Sequence, residues 1–245
     1  MIKEYIRKKI EKDDNIGNRN KEERETWLKE KLEAIKPGCS ILDAGAGELQ
    51  YEKFCRHLKY TSQDFGQYNG KGNAEGLQTK KWNNSKIDII SDITDIPVKD
   101  ESFDAIMCIE VFEHIPEPAR AVKELSRLLK TGGTLIITAP FCGITHFAPY
   151  HFASGFNKYF YEEVLTKNGF KIIEMIPNGN YYEFLALETR RLPSVIQKYS
   201  HSKINMFEKI VLKMMLNIFN KYHKKDVHSN ELLCFGYQVL AQKIK

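Results

Sequence analysis

The chain predicts an α/β fold built on an open, mostly parallel sheet with helices on both faces. Two observations carry this expectation. Short apolar runs alternate with stretches of helical apolar spacing along most of the 245 residues, the pattern of strand–helix–strand units. The first run, Ile41-Leu42, passes into Asp43-Ala44-Gly45-Ala46-Gly47-Glu48, a buried strand that meets an acid and two glycines. Glycine lets the backbone turn with φ > 0 and lets a ligand approach where no Cβ stands in the way. In open α/β sheets, ligands sit beyond the carboxyl ends of the strands.

Taken in order, residues 21–36 read as a helix with Trp27, Leu28, Leu32 and Ile35 on one face, stopped by Pro37-Gly38. Residues 40–44 are the first strand and 49–57 the first crossover helix. Residues 60–64 form a second strand ending in Asp64. Residues 66–85, rich in Gly, Asn, Gln and Lys, read as loop. A third strand, 87–91, ends just before Asp92. The fourth, 103–109, is apolar apart from Asp104, as a strand covered on both faces should be. Residues 118–129 form a helix with Ala121, Leu125, Leu128 and Leu129 inward, closed by Thr131-Gly132-Gly133. A fifth strand follows at 134–139, a helix at 161–168 before Gly169, a sixth strand at 170–176 and a last one at 234–244. A helical insertion, 181–230, separates the last two strands. The expected organisation is one domain over 1–245, with residues 1–37 a helical extension and 38–178 a cofactor-binding core.

Apolar content of 42% and aromatic content of 11% support a folded core and argue against general disorder. The net charge of +5 is spread along the chain. That suits a small, even anionic, substrate and argues against a nucleic-acid-binding stripe. Five cysteines, with no Cys-x-x-Cys pair, speak against a disulfide framework or a zinc site and for a reducing cytoplasm. Residues 1–12 alternate charges with isoleucines, unlike a signal peptide, and no apolar run has membrane-spanning length. A cytoplasmic protein is expected.

Two ligands compete for the glycine loop. A dinucleotide site wants a third glycine where this chain has Gln50, and Glu48 would repel a pyrophosphate. S-adenosylmethionine carries a sulfonium and an ammonium and no phosphate, so it tolerates the acid. Asp64, closing the second strand, is placed to accept from ribose hydroxyls. Asp92 is placed to accept from an adenine amino group, with Ile93 against the ring.

The chain resembles the class I S-adenosylmethionine-dependent methyltransferases, in the small-molecule branch that includes quinone and sugar methyltransferases. The residues that carry the resemblance are Leu42-Asp43-Ala44-Gly45-Ala46-Gly47, Gln63-Asp64, Asp92-Ile93 and Ser102-Phe103-Asp104-Ala105-Ile106. Glu110-Val111-Phe112-Glu113-His114-Ile115 and Leu128-Leu129-Lys130-Thr131-Gly132-Gly133-Thr134-Leu135-Ile136 complete it. The resemblance implies a Rossmann-like, seven-stranded sheet with an antiparallel last strand. It implies that Asp43, Gly45 and Gly47 contact the methionine portion, Asp64 the ribose and Asp92-Ile93 the adenine, with Glu110 lining the pocket. Ala44, Gln63 and Cys108 are counted as cofactor-binding with them, although Cys108 also reads as a plain buried strand residue. One departure is Leu49, where the family often has a third glycine. The likeness is greatest to methyltransferases of bacterial surface-polysaccharide building. A sugar or a phosphorylated precursor is therefore the first acceptor expected, and a quinone or lipid-linked molecule the second. A non-catalytic S-adenosylmethionine-binding module and a nicotinamide dehydrogenase are the other readings.

Methyl transfer from a sulfonium is an in-line displacement, helped most by a near-attack arrangement worth up to ~7–11 kcal/mol. An oxygen or nitrogen acceptor also gains from a base near neutral pH, for which histidine is suited. The segment Phe141–Phe152 holds two histidines, a tyrosine and three phenylalanines directly after the fifth strand, and long loops above strand ends tend to be functional. His151 is expected as base or orienter, with Tyr150 and His146 shaping the acceptor pocket. His114 reads as a helix-start histidine that bonds locally, with catalysis as its second reading. No metal ligand set is expected. Residues 204–219 carry Met206, Phe207, Ile210, Val211, Met214, Met215 and Ile218 at helical spacing. Such a stripe reads first as packing against the protein or a partner, and second as contact with a membrane surface.

Overall fold

The structure, a computed structural model, describes residues 15–245; most of the expected 1–37 extension's first half, residues 1–14, lies outside the described residues. Seven strands form one sheet: β1 (Ser40–Ala44), β2 (Lys59–Asp64), β3 (Ile89–Ile90), β4 (Phe103–Ile109), β5 (Leu129–Pro140), β6 (Phe170–Asn178) and β7 (Gly236–Lys243). Their order is β3-β2-β1-β4-β5-β7-β6. β1 pairs in parallel with β2 and β4, and β4 in parallel with β5. β7 runs antiparallel to β5 from Thr134↔Gln242 to Pro140↔Gly236. This is the Rossmann-like sheet with an antiparallel last strand that the sequence predicts. Strand order reverses between β1 and β4, and an open α/β sheet leaves its ligand crevice at that switch point.

One compact unit comprises Arg24–Ile176 and Gly236–Lys245; a second comprises Pro177–Phe235 with, among the described residues, 15–23. In the first, helix α1 (Asn20–Glu33) lays Trp27, Leu28 and Leu32 on Ile41, Ala105, Met107, Ile109 and Ile136 of the sheet. The intervening strand residues Leu42, Ile106, Cys108, Leu135 and Ile137 are equally buried, as expected of strands covered on both faces. Burying each such Leu or Ile contributes about 1.5–3 kcal/mol. Helix α2 (Pro118–Leu128) starts with proline at its first turn and buries Ala121, Val122, Leu125 and Leu128. Helix α3 (Lys158–Lys167) is capped by the Asn157 side chain and buries Tyr161 and Leu165.

The predicted crossover helix at 49–57 does not form. Leu49 takes φ +60°, outside the α-helical range, and the segment turns irregularly with one 3-10 turn at Glu52–Phe54. Leu49 thus adopts the left-handed conformation that a glycine would supply at the point where the chain departs from the family pattern. The third strand is shorter than expected and the fifth longer, because β5 starts directly from the end of α2 at Leu129.

In the second unit, α4 (Tyr181–Tyr199) is capped by Asn180, and α5 (Met206–His223) by an Asn205–Glu208 capping box. Arg19 donates to the buried Glu183 at 2.7 Å. The helix α5 packs against α4, with Tyr222 stacked on Tyr182, but the residues of the apolar stripe itself are exposed, Met206 and Phe207 both above 70%. No helix among them is long and apolar enough to cross a membrane.

Candidate active site

A cavity of about 560 Å³ opens at the carboxyl ends of β1, β2 and β4, a size suited to a cofactor or small ligand. The glycine loop forms one wall. Gly45 (φ +80°) and Gly47 (φ +54°) both need the left-handed region, and a Cβ on Gly45 would stand 2.5 Å from a Val111 methyl carbon. The loop is stitched to the end of β2. The amides of Gly45 and Ala46 donate to the Gln63 carbonyl, both at 2.8 Å, and the Gly47 amide donates to Asp64 Oδ2 at 3.0 Å. Asp64 Oδ1 accepts from the Gly66 amide at 2.8 Å. Each carboxylate oxygen keeps lone pairs for a further donor.

These bonds decide between the two ligands. A pyrophosphate needs free backbone amides and a helix N-terminus, yet the loop amides are engaged with β2 and no helix follows. The cavity wall also carries Glu48, Asp64, Asp92, Glu110 and Glu113 against a single Lys or Arg, Arg24. Arg24 pairs with Glu110 at 3.0 Å. An acid-lined cavity whose Gly45, Ala46 and Gly47 amides are already engaged fits a cationic, phosphate-free cofactor and disfavours a dinucleotide.

Of the expected cofactor-binding residues, Gly45, Gly47, Gln63, Asp64, Asp92, Ile93 and Glu110 lie on this wall. Gln63 bridges the loop to the Ser91 carbonyl through its Nε2 at 2.7 Å. Asp92 Oδ1 accepts from the Thr94 amide and hydroxyl, which sets the turn that carries Ile93. Asp43, Ala44 and Cys108 are not on the wall. Asp43 is buried and accepts from the Tyr60 hydroxyl at 2.6 Å; burial pushes its carboxyl up to about 7, partly offset by Tyr60. Cys108 is fully buried in β4 and its thiol is pushed well up by burial.

On the other side of the same cavity, Glu110 (φ +57°) ends β4 and the chain makes a 3-10 turn at Phe112–His114. Glu113 is 1% exposed. His114 and His146 face it, each with Nε2 at 3.7 Å from Glu113 Oε1. The Nδ1 of His114 lies 2.5 Å from the Tyr150 carbonyl and that of His146 2.9 Å from the Ile144 carbonyl. A carbonyl only accepts, so both Nδ1 atoms carry the proton and the Nε2 atoms present lone pairs when the rings are neutral. Burial, then the neighbouring His146, lowers the His114 pKa to about 3. Burial works against charge on His146 as well, but Glu113 and the Ile144 carbonyl outweigh it and raise its pKa. Burial raises Glu113, which His146 moderates.

The expected histidines therefore come together, with the ring centroids of His114 and His146 4.7 Å apart and those of His146 and His151 4.8 Å apart. His114, His146 and Tyr150 line the cavity; His151, packed beside the two histidines, is not part of its wall. Its pKa is lowered by burial and by His146.

Among the wall residues that sequence reasoning missed are Arg24, Tyr51, Tyr68 and Trp82. Arg24 lies in a helix whose apolar pattern marks only its buried face, and Tyr51 lies in the irregular segment that replaces the expected crossover helix. Tyr68 and Trp82 come from the loop at 66–85, where they pack with Phe147: its ring stacks on Tyr68 at 4.5 Å and meets Trp82 edge-on at 5.2 Å. Two large aromatics in an otherwise polar loop were the available signal. That loop is zipped to the β5 loop, Leu77 donating to the Thr145 carbonyl at 3.0 Å and Phe147 to the Leu77 carbonyl at 2.9 Å.

Residues 42–137 match a methyltransferase domain family. A ubiquinone biosynthesis O-methyltransferase of Xanthomonas oryzae pv. oryzae is 30% identical over 104 residues, 41% of this chain and 43% of that protein. The match thus spans less than half the length of that relative. Among solved structures, phosphoethanolamine N-methyltransferase 2 of Haemonchus contortus, in complex with S-adenosylmethionine, aligns with a TM-score of 0.51. Its identity is 18%, over 91% of this chain and 53% of that one. The [4+2]-cyclase SpnF aligns with a TM-score of 0.53 at 18% identity, over 89% and 80%. Likeness at such identity shows the fold, and the cyclase's name warns that the fold alone does not specify a reaction. The family match over residues 42–137, the strand order and the acid-lined glycine-loop cavity agree: this part of the chain is similar to methyltransferase domains, and its fold is that of S-adenosylmethionine-binding structures.

Proposed function

We propose that this protein transfers a methyl group from S-adenosylmethionine to the hydroxyl of a small aromatic acceptor. The observation that carries the reading is that one cavity holds both sides of such a reaction. Its glycine-loop wall offers Asp64 for ribose hydroxyls, Asp92 and Ile93 for adenine, and Arg24 for the methionine carboxylate. Bound S-adenosylmethionine supplies the electrophilic methyl. The opposite wall offers His114, His146 and the buried Glu113, groups that favour a deprotonated acceptor oxygen. Holding acceptor and methyl in line supplies the rest.

Of the two acceptor classes expected from the sequence, the wall's chemistry supports the quinone-like one over the sugar phosphate. Tyr68, Trp82, Phe147, Tyr150 and Phe152 line it, a surface for an aromatic ring, while a phosphate would want cations beyond Arg24, the one Lys or Arg on the wall, which this reading assigns to the methionine carboxylate. The name of the partial Xanthomonas relative points the same way. The test is S-adenosylhomocysteine release in the presence of simple phenols, hexoses or hexose phosphates. Phenols should be methylated, and His146→Ala should lower turnover ~100-fold or more while S-adenosylmethionine affinity holds. Transfer to hexose phosphates alone would overturn the aromatic assignment. Binding of the cofactor with no turnover on any acceptor would favour the non-catalytic module.

A further inference from the structure

We propose that His114, His146 and His151, backed by Glu113, form a binding site for a divalent first-row transition ion of the zinc type. One ligating atom from each of the three histidines lies within 4.8 Å of the others. Two of the rings are oriented as metal ligands are, with Nδ1 tied to a backbone carbonyl, Tyr150 for His114 and Ile144 for His146. Such outer bonds set the tautomer and aim Nε2. Both Nε2 atoms sit 3.7 Å from the same Glu113 oxygen, too far for a hydrogen bond and spaced to admit a third body.

Two further atoms point to a missing partner. His151 Nδ1 and Glu113 Oε2 are both buried with no hydrogen-bond partner among the described residues. Burying polar atoms unpaired is costly, and a cation answers both, since it takes an imidazole lone pair and neutralises a carboxylate. Adjacent nitrogens around a tetrahedral zinc lie about 3.4 Å apart, so the widest pair here closes by at most roughly 1.4 Å, the reach of small side-chain rotations. Imidazole donors select zinc, cobalt, iron or nickel over magnesium or calcium. Three protein nitrogens on a four-coordinate ion leave one position for water or a substrate oxygen. That this position takes the acceptor hydroxyl rests on the methyl-transfer reading; that the ion binds does not.

The test uses the full chain, stripped with a chelator and titrated with Zn²⁺ by calorimetry and with Co²⁺ by visible absorption. The site predicts one ion per chain at micromolar affinity or tighter, with the Co²⁺ bands of a nitrogen-rich site. His146→Ala and His151→Ala should each weaken binding 100-fold or more, while Asp64→Ala should weaken S-adenosylmethionine binding and leave the ion's affinity unchanged. That last variant separates this proposal from the cofactor assignment. Absence of micromolar binding, or binding unchanged in the two histidine variants, would overturn the site. Should either variant fail to fold, imidazole ¹⁵N shifts of the unmodified protein decide: Zn²⁺ must move all three rings, and a response confined to other histidines refutes the proposal.

Discussion

Asp43→Asn should change how stability depends on pH, because Asp43 is an acid buried under the glycine loop. The side chain is 2% exposed and its partner is the Tyr60 hydroxyl at 2.6 Å. Burial, the largest cause, raises its carboxyl from the ordinary 3.8 to about 7. The folded protein therefore holds a proton between about pH 4 and pH 7 that the unfolded chain releases. Stability falls as pH rises through that window and is level above it. Three pH units at 1.36 kcal/mol each make the effect about 4 kcal/mol. Asparagine keeps an acceptor for Tyr60 and carries no charge, so its own packing cost does not vary with pH. Urea unfolding of both proteins at steps from pH 4 to 8 isolates the difference. The variant should gain on the wild type by roughly 4 kcal/mol between pH 4 and pH 8. A difference that stays constant over that range would refute the buried, protonated Asp43.

The glycine loop and the sheet's lower edge give two more. Gly132→Ala, at φ +83° with nothing within 4 Å of its Cβ, should cost only the left-handed term, about 1 kcal/mol. Gly45→Ala adds a clash with Val111 and should cost about 1–3 kcal/mol more and weaken cofactor binding; equal costs in denaturation would contradict the packing described. Asp104 is lowered to about 2 first by Lys130, then by the Ser40 amide and hydroxyl. Its contribution is present above pH 4 and lost as pH falls towards 2. With a third of the side chain exposed, Lys130→Ala should remove only about 1 kcal/mol at pH 7 and progressively less as pH falls to 2, as acid-series unfolding would show.

Much of this was legible in the sequence where periodicity or an obligatory residue type marks it. The strands β1 and β4 announce themselves as apolar runs, and Gly45 and Gly47 are where only glycine avoids strain. Asp64 and Asp92 were placed from their positions at strand ends, because strand ends face the ligand crevice. What was illegible depends on long-range geometry. Leu49 carries no local sign that it will take φ +60° and abolish a helix. Asp43 stands in the same strand as the cavity's loop, yet its side chain turns to Tyr60, a choice made by the alternation of the pleat. Arg24 reaches the cavity from a helix whose pattern speaks only of its buried face. The histidine cluster was half visible: composition singled out the β5 loop, but only the fold brings His114 and Glu113 to it.

The most direct test of the central claim is calorimetric titration of the purified protein with S-adenosylmethionine and, separately, NADH, using Asp64→Ala as control. The account predicts micromolar S-adenosylmethionine binding, weakened roughly 10- to 150-fold by the substitution because a buried carboxylate's hydrogen bonds are worth about 1.5–3 kcal/mol, and no NADH binding. Binding of NADH alone, or of S-adenosylmethionine with equal strength by the variant, would contradict it.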